Sequence, residues 1–119
     1  MSFAYDLKRV YALVTTTLSY IYNKVYTYGN LTTIDPHLSN SLDYYIDKFC
    51  GVLQSVMDKY NVRVNVAQII GTTYPELGAY IQSLEDWEFI VVIRTVLEEN
   101  VWLLYSPEVL RMLLHLSRS

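Results

Sequence analysis

The chain has 119 residues, of which 52% are apolar and 18% are charged, and its formal net charge is −3. A chain of this length holds one ordinary domain, and its apolar fraction is too high for a disordered protein. The nine Lys and Arg residues are scattered along the chain, whereas nucleic-acid binding requires a clustered basic surface. We therefore expect a single domain over residues 1–119 that has no nucleic-acid partner.

Cysteine content and apolar run lengths indicate the compartment. The only cysteine is Cys50, so no intrachain disulfide can form. The longest apolar runs, such as 89–93 and 101–105, are far shorter than a membrane-spanning helix, and the N-terminus has no apolar run of the signal-peptide kind. We expect a cytoplasmic protein without an integral membrane segment.

The first two predicted elements are amphipathic helices. Residues 3–28 carry apolar side chains at steps of three and four, which is the spacing of one helix face. A loop with Pro36 follows. The stripe from Leu42 to Tyr60 is the most regular in the chain, and the residues at 39–41 are good N-caps. The pattern predicts helices over about 3–28 and 42–60.

The segment that follows has two interpretations. Val62, Val64 and Val66 alternate with polar residues as in a β-strand, but no other segment alternates convincingly and would pair with it. We therefore expect these valines to begin a helix that continues to Ile70. Pro75 is typical of a first helical turn and predicts another helix as far as about residue 84.

The last third of the chain predicts two more helices. Asp86 is a candidate N-cap, and from 87 to 104 nearly every helix face carries an apolar side chain, as in the middle of a bundle. Ser106 and Pro107 provide a cap and a first-turn proline for a last helix to Leu116. The predicted fold is all-α, with about six to seven helices around a central hydrophobic helix.

The sequence offers no residue pattern that supports catalysis. His37 and His115 belong to no metal-binding motif. Glu98 and Glu99 are adjacent, so on a helix they point apart instead of acting together as acid and base. Cys50 lies in an apolar stripe and is expected to be a buried, unreactive thiol. We expect no enzymatic activity, no metal and no cofactor, and the surplus of apolar surface favours protein binding.

Three segments resemble homology motifs of the Bcl-2 family. Residues 38–45 are similar to the third motif, in which Leu, three variable residues, a small residue and Asp precede an aromatic; Leu42 departs from the small residue. Residues 49–58 resemble the helix before the first motif. Residues 102–109 resemble the second motif, a Trp followed by a polar turn and a short helix, with Ser106 and Pro107 in place of the usual glycine pair.

The family's first motif is an Asn-Trp-Gly-Arg core followed by a hydrophobic helix, and it matches in two registers. Residues 64–71 keep an Asn at Asn65 and have Gln68 where the Arg belongs. The alternative, residues 61–63, keeps an arginine at Arg63 but lacks one position. The segments that resemble the family lie between about residues 38 and 114. The resemblance implies a compact Bcl-2-like protein without a membrane anchor, of the kind found in large DNA viruses.

The resemblance implies inhibition of host apoptosis in the host-cell cytoplasm. The amphipathic death-motif helix of a pro-apoptotic Bcl-2 protein would lie in an apolar groove between the 42–60 helix and the helix beginning near Asn65. The family's Arg pairs with an Asp of that helix, so Gln68 in its place implies weaker or narrower partner binding unless Arg63 takes part. The groove residues that the resemblance implies are Phe49, Val52, Leu53, Val56, Met57, Arg63, Asn65, Gln68 and Ile69.

Two alternatives remain open. Viral relatives with this fold also block innate immune signalling as homodimers, in which case the groove would be closed. The interface would then use exposed tyrosines such as Tyr5, Tyr26 and Tyr28, since aromatic residues are enriched at interfaces. The third possibility is a helical structural subunit that has no groove.

Overall fold

Six α-helices and one 3-10 helix form the described part of the chain. The computed structural model describes residues 6–27 and 42–116, and the side chains of residues 6–24 and 42–112. The elements are α1 (Leu7–Thr27), α2 (Leu42–Val56), α3 (Val62–Gly71), α4 (Pro75–Ser83), α5 (Asp86–Glu99), the 3-10 helix η1 (Val101–Tyr105) and α6 (Pro107–Leu116). No strand occurs in these residues, so the predicted all-α class is confirmed.

The predicted first residues of three helices are confirmed. The alternating valines lie in α3 and form no strand, and prolines occupy the first positions of α4 and α6. The expected N-cap at Asp86 is wrong, because Glu85 is the cap of α5. The Glu88 carboxylate accepts a hydrogen bond from the Glu85 backbone N–H at 2.9 Å, which satisfies a donor that the helix leaves unpaired.

Two helices are shorter than predicted. α2 ends at Val56 instead of Tyr60, because the chain turns before α3 and Asn61 adopts the left-handed conformation, with φ 48° and ψ 49°. Asn tolerates this conformation better than most residues. α5 ends at Glu99, because the next residue, Asn100, has a φ of −130° and a ψ of 56° that interrupt the predicted 87–104 helix. Residues 101–105 then continue as η1.

The packing of α3 against α4 depends on two glycines. A Cβ atom on Gly78 would lie 2.6 Å from the Gly71 Cα and 2.7 Å from the Ala67 carbonyl oxygen. Real Cβ atoms do not approach backbone so closely, so only glycine fits at position 78. The helix pair therefore packs backbone against backbone.

The core is formed by buried side chains from all six α-helices and η1. α1 packs against α3 and α6, α2 packs against α5 and α6, and α3 packs mainly against α4. The largest fully buried side chains include Phe49 of α2 and Phe89 of α5. α5 also has an exposed side that bears Trp87 and Val91, so the expectation of a helix buried on every face is wrong.

Candidate functional site: an exposed face of helix α5

The α2 residues of the predicted groove lie mostly in the core. Phe49 and Leu53 have no exposed surface, and Met57 is buried as well. Val52 and Val56 are partly buried and pack against that core. Phe49, Leu53 and Met57 therefore hold α2 to the bundle in this structure and do not line an open trough.

Two polar residues of the predicted groove bond to other parts of the chain. The Arg63 guanidinium donates to the Asp86 carboxylate at 2.9 Å and to the carbonyl oxygens of Ile81 and Gln82 at 3.3 and 3.1 Å. The Asn65 side-chain amide donates to the backbone carbonyls of residues 60 and 61. Both side chains thus stabilise turns, which the sequence motif did not indicate.

The remaining predicted residues, Gln68 and Ile69, are exposed on α3. Ile69 lies beside α1, where it lines a recess with Thr15 and Thr16. α3 packs mainly on α1 and α4, whereas α2 packs mainly on α5 and α6.

The structure reveals an apolar surface on α5 that the sequence analysis missed. Trp87 is 62% exposed and Val91 is 54% exposed, and their spacing of four residues puts them on one side of the helix. We call this pair with its immediate surroundings the α5 outer face. The spacing is visible in the sequence. Because the segment has apolar residues on its other faces as well, the sequence does not indicate which face is exposed to solvent.

The ring of Trp87 is restrained by a hydrogen bond. Its indole N–H donates to the Glu85 carboxylate at 2.5 Å, and the Glu85 backbone N–H donates to the Glu88 carboxylate. An exposed ring restrained in this way loses little side-chain entropy when a partner covers it. Trp is also the residue type most enriched among the residues that dominate interface energies.

Ion pairs border the α5 outer face at both ends. Asp86, next to Trp87, accepts from Arg63 of α3 at 2.9 Å. Arg94, three residues after Val91, donates to Asp47 of α2 at 2.8 Å and lies 3.8 Å from Glu98. The apolar pair is therefore flanked by charged groups, as in an interface with an apolar centre and a polar rim.

A second surface lies along α1. The recess there has a volume of about 510 Å³ and is lined by residues of α1, of the end of α3 and of the α3–α4 connection. At one side Tyr11 donates to the Glu108 carboxylate of α6 at 2.6 Å. This hydrogen bond raises the pKa of Tyr11, with burial and the charge of Glu108 adding to the effect.

Within 6–27 and 42–116, no group of three His, Cys, Asp or Glu residues is placed to hold a metal ion. Cys50 is buried, and burial raises the pKa of its thiol, which keeps it protonated at neutral pH. No helix in this part of the chain has the length and hydropathy to span a membrane.

The chain matches no protein-family model, no curated protein and no solved structure. The resemblance to the Bcl-2 family therefore stays a prediction, and so do the partners that it implies.

Proposed function

We propose that this protein is a Bcl-2-like inhibitor of host apoptosis of the viral type, acting in the host-cell cytoplasm. It binds the amphipathic death-motif helix of a pro-apoptotic Bcl-2 protein on the α5 outer face. The observation that carries the proposal is the restrained, exposed Trp87 beside exposed Val91. Each apolar side chain that becomes fully buried at such a contact contributes about 1.5–3 kcal/mol.

The position of Trp87 also supports a different register of the family's first motif. That motif has a Trp at its centre and a hydrophobic helix after it, and α5 is a hydrophobic helix that begins at Asp86. Asp86 and Trp87 then occupy the Asn and Trp positions, while Glu88 and Phe89 depart from Gly and Arg. This register keeps the Trp, which residues 64–71 lack.

The new register changes the expected electrostatics of partner binding. Phe89 has an uncharged side chain and is fully buried, so the position of the family's Arg supplies no cation for the partner's Asp. One positive group beside the face is Arg94, which already pairs with Asp47. A partner carboxylate would have to compete with this ion pair, so we expect binding weaker than that of a family member with a free Arg.

The test is a titration of the protein and two matched variants with death-motif peptides. Val91→Glu and Ile69→Glu both place a charge at a β-branched, half-exposed position, since Ile69 is 49% exposed. We expect saturable binding by the unaltered protein, an affinity loss of about tenfold or more for Val91→Glu, and little change for Ile69→Glu. The reverse pattern would favour the groove near Asn65, and no binding to any peptide would refute the proposal.

A second candidate function is inhibition of innate immune signalling by a homodimer. The burial of Phe49, Leu53 and Met57 supports it, because this alternative expects the groove beside α2 to be closed. Of the tyrosines that it assigns to the interface, Tyr5 and Tyr28 and the side chain of Tyr26 lie outside the described part of the structure. A stable dimer in sedimentation equilibrium that does not dissociate on adding death-motif peptides would favour this candidate.

A further inference from the structure

The recess along α1 combines apolar side chains with a cation. Its volume of about 510 Å³ lies within the range of ligand-binding pockets, roughly 300–1,000 Å³. The residues that line it include Tyr11, Tyr74 and Ile69, and Ile69 is 49% exposed. Lys8 lines it as well, and its ammonium group forms no ion pair with a described residue. This surface, called the α1 recess, is therefore suited to an apolar group that has a negative charge beside it.

The α5 outer face carries such a group. The Trp87 side chain is 62% exposed, so its own chain leaves most of the ring uncovered. The hydrogen bond from the indole N–H, at 2.5 Å, holds the Glu85 carboxylate beside the ring. Within the described part of the chain, Glu85 has no ion-pair partner. An apolar ring and an unneutralised carboxylate are thus presented together, and they match the chemistry of the α1 recess.

Helices α1 and α5 also carry opposite charges. α1 has three basic residues, Lys8, Arg9 and Lys24, and no acidic one, whereas α5 has four acidic residues and one arginine. Glu108, which bonds to Tyr11, is not among the residues that line the α1 recess. Exposed charges more than about 8 Å apart are largely screened at physiological salt, so the net charge of −3 opposes the approach of two copies only weakly. The local charges favour a contact between α1 of one copy and α5 of another.

We propose that the α1 recess of one copy of this chain receives Trp87 of a second copy, with Lys8 beside the second copy's Glu85. The ring packs against Ile69 in this contact. Because the two surfaces differ, the contact is heterologous and builds open chains of copies or a closed cyclic oligomer. Its small size places it among weak, reversible interfaces. The contact goes beyond the proposed function, and it competes with a death-motif helix for the α5 outer face.

Sedimentation velocity of the full chain, without any peptide, measures this contact. We expect the average mass to rise with protein concentration up to the millimolar range and to fall when salt is added. Trp87→Ala removes the ring and Ile69→Glu places a carboxylate in the recess, so each should weaken self-association about tenfold or more. The matched control is Trp102→Ala, which removes a ring that is 42% exposed on η1 and should leave self-association unchanged. An unaltered chain that stays monomeric, or an equal loss in the control, would overturn the inference.

A mixture of the two weakened variants tests which surfaces meet. Trp87→Ala keeps the α1 recess and Ile69→Glu keeps the ring, so one complete contact can form between them. We expect the mixture to give a dimer with one copy of each variant and no larger species. Because this dimer needs both variants to be folded, the mixture also checks their structure. A mixture that associates no better than either variant alone would overturn the inference.

The charge contact has its own pair of variants. Lys8→Glu should weaken self-association several-fold, because it replaces an attraction to Glu85 by a repulsion. Lys59→Glu makes the same change at an exposed position outside the α1 recess and should have less than about a twofold effect. Equal losses in both would contradict the proposed contact. Death-motif peptides are titrated at low concentrations, at which the chain is monomeric, so either proposal can fail without the other.

Discussion

Arg63 joins three helices through a single guanidinium group. Its side chain is only 16% exposed, and it bonds both to Asp86 at the start of α5 and to carbonyls near the end of α4. The Gln82 carbonyl belongs to the set that a helix C-terminus leaves unpaired, whereas the Ile81 carbonyl also accepts from the Leu84 backbone N–H at 3.1 Å. The residue therefore stabilises the α4–α5 connection, whatever partner the protein binds.

Replacement of Arg63 by Gln should lower the free energy of unfolding by about 1–2 kcal/mol, because hydrogen bonds from a charged donor are lost. The control is Arg94→Gln, which breaks an exposed pair and should cost less than about 0.5 kcal/mol. Urea unfolding measures both. Equal losses in the two variants would contradict the role assigned to Arg63.

Substitutions at Asn61 test the free-energy cost of the left-handed backbone conformation before α3. Its side chain makes no capping hydrogen bond, so Asn61→Ala removes none and changes only the backbone preference. We expect Asn61→Ala to lower the free energy of unfolding by about 1 kcal/mol, and Asn61→Gly to leave it unchanged or raise it. Chemical denaturation compares the two; a more stable alanine variant would show that the turn does not need this conformation.

At the scale of elements, the closest helix pair is α3 and α4. Gly78 has backbone atoms of Gly71 and Ala67 in the space that a Cβ would occupy, whereas Gly51 of α2 has no atom within 4 Å of such a position. Replacement by alanine should therefore have opposite effects on stability at the two glycines.

Gly78→Ala should destabilise the fold by about 1–3 kcal/mol through overpacking against backbone. Gly51→Ala should stabilise it by about 0.5–1 kcal/mol, because alanine is the better helix former and has room there. Thermal unfolding of both variants measures the difference. A Gly78→Ala variant as stable as Gly51→Ala would mean that α3 and α4 do not pack so closely.

The contribution of the α1–α6 contact to stability should decrease at alkaline pH. The hydrogen bond to Glu108 raises the pKa of Tyr11, so the folded state holds that proton more tightly than the unfolded state. Its contribution to stability is complete below about pH 10, the ordinary value for tyrosine, and is lost as the pH rises through the higher folded value. Tyr11→Phe lacks this contribution at neutral pH, so its stability difference from the unaltered chain should shrink on alkalinisation. A difference that stays constant with pH would contradict the assignment.

At the scale of the whole molecule, the sequence was sufficient to predict the helical class and most helix starts. The signals that predict these helices are local in the sequence: apolar residues at steps of three and four, and the prolines at 75 and 107. α4 and α6 begin at these two prolines. The helix ends at Val56 and Glu99 were missed because they depend on single backbone conformations, at Asn61 and Asn100, inside otherwise apolar stretches.

The candidate site was harder to predict than the helices. Phe49 and Leu53 have the spacing of groove residues and of core residues alike, and only packing against α5 and α6 assigns them to the core. For the same reason, the sequence of α5 cannot tell which of its apolar sides stays uncovered. The exposure of Trp87 and Val91 is a property of the assembled bundle.

The most direct measurement of the central claim is an NMR titration of the unaltered protein with a pro-apoptotic death-motif peptide. The two tryptophan indoles lie on different surfaces, with the Trp87 N–H bonded to Glu85 and the Trp102 N–H bonded to Asn100. If the peptide binds at the α5 outer face, we expect the Trp87 indole signal and the Val91 amide signal to shift saturably while the Trp102 indole signal stays in place. Saturable binding that leaves Trp87 and Val91 unmoved, or no binding at all, would contradict it.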